Sequence, residues 1–114
     1  MPPRSPLTET PPFAVETAIR TLGVNLRTAR LRRNLTMAEV ADKLGVNRHV
    51  IADAENGKAG TGVAVYVGML WVMGLLDHLE RVADPAADEV GLARSIADGR
   101  ERAGRGAGGM DNDF

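Results

Sequence analysis

The chain has 114 residues, a formal net charge of −1 and no cysteine. A chain of that length suits one small domain, which buries little surface alone and gains stability from a second copy. The missing cysteines exclude disulfides and thiolate zinc sites, and His49 and His78 stand far apart without a ligand cluster, so no metal and no cofactor is expected.

In chain order, Met1–Pro12 holds five of the six prolines and no apolar core of the kind a signal peptide needs. Residues 1–13 are therefore expected as an extended, disordered arm. Ile19, Leu22, Leu26 and Ala29 recur at spacings of three and four, one face of a first helix. Arg20, Arg27 and Arg30 fall off that stripe and Arg33 ends it. Residues 1–60 carry nine Lys/Arg against six Asp/Glu, and residues 61–114 carry five against nine, so the halves stand at +3 and −4. That split permits an anionic partner for the first half; a solvated helix face is the alternative.

Thr36 followed by Glu39 is a capping box that opens a second helix. Met37, Val40, Ala41 and Leu44 give its apolar face, and Gly45 ends it. Asn47 is a good N-cap for a third helix, Arg48–Glu55, with Val50 or Ile51 facing inward beside Ala54. Asn56-Gly57 then breaks the chain. Thr61 is placed to cap a fourth helix that runs through Tyr66, Leu70 and Trp71 to about Gly74. A fifth runs from Leu75 to about Val82, and Asp84-Pro85 stops it. The longest apolar run, Val63–Leu76, has 14 residues, short of the ~20 that span a bilayer. Residues 85–98 are expected to be weakly structured, with a last turn or helix over Asp88–Ala97. Residues 99–114 hold five glycines and three arginines with almost nothing apolar, and are expected to be disordered. No segment shows strand alternation, so the fold class is all-α, with the folded domain over residues 14–84.

A helix, a capped helix, a short glycine turn and a second capped helix make the helix-turn-helix arrangement. Ala41 is small where two helices cross steeply, and Val46 plugs the core beneath the turn. The stretch "LRTARLRRNLTMAEVADKLGVNRHVIADAENG" resembles the Cro/phage-repressor (XRE) class of helix-turn-helix regulators. The resemblance implies a five-helix, lambda-repressor-like domain that binds double-stranded operator DNA as a homodimer. The segments "GLLDHLERVADP" and "DEVGLA" resemble the HipB-like antitoxins. That implies a cytoplasmic, nucleoid-associated bacterial repressor that neutralises a HipA-like kinase toxin and represses their shared operon.

On this reading the third helix enters the major groove with its first residues nearest the base edges. Arg48 is the candidate for a bidentate contact to guanine, and the alternative is a solvated arginine. His49 can donate to a base or a phosphate, and Ala52 lies on the same helix. Asn47 caps, contacts phosphate, or does both. The start of the second helix, at Thr36 and Met37, offers backbone N–H groups to a phosphate, and Arg32, Arg33 and Lys58 add flanking charge. The resemblance makes Arg30 and Glu55 a structural pair rather than a DNA contact.

Three residues depart from the family pattern. Met37 stands where glutamine is common, and methionine cannot donate a hydrogen bond. Asp53 puts a negative charge on the recognition helix, to accept from a cytosine amino group, orient Arg48 or face away. Ala54 is smaller than usual, so another side chain, Trp71 foremost, is expected to fill its volume.

Val63–Leu76 is too apolar for one wall of so small a bundle. Tyr66, Leu70 and Met73 are placed in the core, and Met69, Trp71, Val72 and Leu76 on an outer patch for the dimer. No clustered nucleophile and base, no paired carboxylates and no phosphate loop speak for an enzyme. "GRGAGG" at Gly104–Gly109 has no strand before it or helix after it, and reads as composition rather than a nucleotide motif. The competing readings are a stand-alone regulator of the same fold, and a protein-interaction module whose DNA binding has degenerated.

Overall fold

The computed structural model of the protein describes residues 5–105. Among them are seven helices and no strand: α1 (Pro6–Glu9), α2 (Phe13–Arg32), α3 (Met37–Leu44), α4 (Arg48–Glu55), α5 (Val63–Met73), α6 (Leu76–Leu79) and α7 (Glu89–Arg105). The chain divides into two compact units between Leu79 and Glu80. The first contains α1 to α6, and α2 to α6 stand where five helices are expected.

Local signals explain where these helices start. Ser5 caps α1 by accepting from the Thr8 amide, and Pro6 sits at its first position, where a missing N–H costs nothing. One helical turn therefore replaces extended chain in part of the N-terminal arm. The capping box of α3 is complete: Glu39 N donates to Thr36 Oγ1 at 3.0 Å, and Thr36 N to Glu39 Oε1 at 3.1 Å. Asn47 Oδ1 accepts from His49 N at 2.9 Å to open α4. α5 starts from Gly62 with no side-chain cap. Thr61 is not the cap expected of it, because its amide closes a turn onto the Lys58 carbonyl at 3.1 Å and the helix begins a residue later.

Four helix ends share one device. Asn34, Gly45, Gly57 and Gly74 all take positive φ, at 53°, 66°, 71° and 73°. In each case the next amide reaches back five residues: Leu35 to Arg30, Val46 to Ala41, Lys58 to Asp53 and Leu75 to Leu70, at 3.1, 3.0, 3.0 and 2.8 Å. This is the Schellman closure, which satisfies carbonyls the helix end would orphan.

The core is small and tight. Leu26, Val40, Ile51 and Met69 are fully buried, with Ala29, Ala41, Ala54, Tyr66 and Met73 around them. Gly23 lets α2 come down onto the end of α4. A Cβ there would lie 2.6 Å from the Ala54 carbonyl oxygen and 2.5 Å from that of Glu55. That close approach requires glycine at position 23, and Ala54 beneath it is fully buried. Trp71 does not fill the space beside it, being 61% exposed. Met69 is likewise corrected: it is fully buried and belongs to the core, while Leu70 and Val72 pack against the core half-buried.

One ionic pair is enclosed. Arg30 Nε donates to Glu55 Oε2 at 2.6 Å and Nη2 to Oε1 at 2.9 Å, a two-pronged contact with side chains only 7% and 2% exposed. Arg30 Nη1 also donates to the Leu35 carbonyl at 2.9 Å. The hydrogen bonds that Arg30 donates to Glu55 raise its pKa, against a lowering by burial, so the guanidinium stays charged. No buried side-chain nitrogen or oxygen among the described residues lacks a partner.

The second unit starts in turns, with Ala86 N donating to Asp84 Oδ1 at 2.9 Å. The chain stops being helical at Leu79, short of the expected Val82. Asp88 Oδ1 accepts from Gly91 N at 3.0 Å and starts α7, which covers much of the segment expected to be weak and residues 99–105 of the expected tail. Leu92 and Ile96, four residues apart, share one exposed face of α7, and Val90 is exposed on the other side. Residues 106–109 of the glycine-arginine motif, and the rest of the expected tail, lie outside the described residues.

Candidate nucleic-acid interface

α3 and α4 are eight residues each, joined by Gly45, Val46 and Asn47. Gly45 turns the chain with a backbone that disfavours side chains, and Val46 is half-buried beneath it. Ile51, Ala54 and Glu55 point α4 into the core. Helical spacing then turns Arg48, His49, Ala52 and Asp53 away from it. Arg48 and His49 are exposed at the free end of the helix, and their side chains have no partner among the described residues. Ala52 is half-buried and presents only a methyl group. The capping hydrogen bond occupies Asn47 Oδ1, so the cap is its observed role.

At the start of α3 the Thr36 amide is taken by Glu39, which leaves the first-turn amides of Met37 and Ala38 as its orphan donors. The Met37 side chain is half-buried and packs against the core. Methionine at this place is therefore a packing residue, and only its backbone faces outward as a donor.

The arginine cluster is less available than its count implies. Arg20 pairs with Glu16 at 2.9 Å, Arg30 is buried with Glu55, and Arg33 Nη1 donates to the Ala29 carbonyl at 2.9 Å. Arg27 and Arg32 are exposed, with no side-chain partner among the described residues. Asp53 does not meet Arg48. Its Oδ1 lies 3.0 Å from Lys58 Nζ, so the acid on the outward face and the base in the following loop neutralise each other. This pair is absent from the sequence-based reading, which treats Lys58 as available charge. Its signal is Gly57, whose closure folds residue 58 back over residue 53. Thr8, Val50, Asp53, Lys58 and Thr61 line an open cleft beside α4.

Two capped helices at a glycine turn, with the second exposing its start and its partner supporting it from behind, define a helix-turn-helix protein. A family model described as helix-turn-helix domain matches residues 21–83, more than half of the 114, and the chain belongs to that family. No curated protein and no solved structure matches the chain. Among the described residues no helix is long and apolar enough to cross a membrane.

Proposed function

We propose that the protein is a transcriptional regulator that binds double-stranded operator DNA by seating the start of α4 in the major groove. The observation that carries this reading is the state of Arg48. It stands exposed and unpartnered at the first position of a helix that Asn47 caps and that Ile51 and Ala54 anchor in the core. A guanidinium held this way offers the two-pronged donor that matches guanine O6 and N7. His49 lies beside it, and the α3 amides, Arg27 and Arg32 serve phosphates. Most sequence-independent affinity then comes from a few charges, and the base contact sets the register.

The regulator acts as a homodimer, because two half-sites related by a two-fold axis call for two copies. Trp71 and Leu76 are exposed apolar residues at the end of α5 and the start of α6, and a second copy is their occupant. The finer reading, an antitoxin that represses its own operon and neutralises a HipA-like kinase, rests on the resemblance of Gly74–Pro85 and Asp88–Ala93 alone. The test is a fluorescence-anisotropy titration of a duplex taken from upstream of the protein's own reading frame. Saturable binding that beats a scrambled duplex at equal salt supports regulation, and no preference at any salt rejects it.

A further inference from the structure

The ion pair beside the recognition helix carries a consequence for the strength of binding. Asp53 lies one turn beyond His49 on the outward side of α4, and its carboxylate meets Lys58 Nζ at 3.0 Å. Two backbone ties hold Lys58 in place. Its amide donates to the Asp53 carbonyl at 3.0 Å, and its own carbonyl accepts from Tyr66 Oη at 3.3 Å. An exposed ion pair between two free chains is weak, because both side chains lose freedom to form it. Here the backbone has already set the separation, so less freedom is lost.

We propose that Asp53 sets the strength of sequence-independent binding by holding Lys58 as an internal counter-ion and withholding it from phosphate. This inference rests on the DNA-binding reading of α4 and adds a regulator of its strength. Affinity for any DNA grows with each phosphate a cation neutralises, through release of condensed counterions. A paired Lys58 and Asp53 sum to zero and release none. If Lys58 moves to a phosphate, Asp53 is left unpaired within the field of the backbone, so the exchange gains little. Sequence-independent binding is thereby lowered, while Arg48, at the other end of α4, keeps its base contact.

The experiment uses the full chain, a random-sequence 20-base-pair duplex and anisotropy titrations over a series of salt concentrations. Wild type, Asp53→Asn, Lys58→Ala and the double variant are compared, with circular dichroism melts to establish that each is folded. The slope of log affinity against log salt should steepen by about 0.9 in Asp53→Asn, one added phosphate contact. Lys58→Ala should take that increment away in the Asp53→Asn background and change the slope far less in the wild-type background. Equal losses from Lys58→Ala in both backgrounds would mean that Asp53 acts only through net charge, and would overturn the pairing. An unchanged slope in Asp53→Asn would overturn it too. Wild type that binds neither this duplex nor its own promoter would instead remove the DNA-binding reading, and this inference with it.

Discussion

Arg30 and Glu55 join α2 to the end of α4 at a point closed to water. Removing one partner leaves a charge buried without compensation, a loss of about 3–5 kcal/mol. Glu55→Ala should therefore lower the Tm by more than about 10 °C. Replacing both residues, with Arg30→Met and Glu55→Leu, should cost less than Glu55→Ala alone. Equal melts for wild type and Glu55→Ala would reject the pair. The Arg30 pKa is raised, so its share of this stability is complete below the usual arginine range and is lost only as pH rises through the raised value. The Tm gap between wild type and Glu55→Ala should accordingly hold steady from about pH 7 to about pH 10, and a gap that closes over that interval contradicts it. Gly23 and Gly68 make a second contrast. A Cβ at Gly23 meets backbone at 2.5 Å, whereas one at Gly68 meets the flexible Leu44 side chain at 3.0 Å. Gly23→Ala should lose about 1–3 kcal/mol in urea titrations, and more than Gly68→Ala. The reverse order would mean that α2 does not close on α4 here.

At the scale of elements, the helix-turn-helix is set by its ends. Thr36→Ala removes the acceptor of the α3 cap and should cost about 1 kcal/mol in the same titrations; no loss would show that packing alone starts the helix. These ends were legible because capping is local. The Thr36–Glu39 box, Gly45 and Asn47 lie within a few residues of what they stabilise, and Arg48–Glu55 has the bounds its caps predict. Where signals are not local, reading fails in specific ways. α5 is apolar on every side, so spacing gives no phase, and Met69 and Leu70 exchange places between core and rim. Lys58 reaches Asp53 only through the closure at Gly57. α7 was underrated because glycines dilute its apolar spacing, although Asp88 caps it.

For the whole molecule, the positive half of the chain is less positive in effect than its count, since Arg20, Arg30, Arg33 and Lys58 all have partners within the protein. On the proposed reading, binding then depends on a few groups and on two copies acting together. Trp71→Ala should leave the helical content of the folded domain nearly unchanged by circular dichroism, because the indole is 61% exposed. It should shift sedimentation from dimer toward monomer, and a variant that sediments as wild type would remove Trp71 from the interface. The central claim is that the start of α4 reads DNA. It is tested most directly by anisotropy titration of the promoter duplex with wild type and Arg48→Ala at one fixed salt concentration. Loss of a two-pronged base contact is worth about 1–3 kcal/mol, so the variant should bind about tenfold or more weakly, with an unchanged melt. Equal affinity for the two proteins would contradict the account.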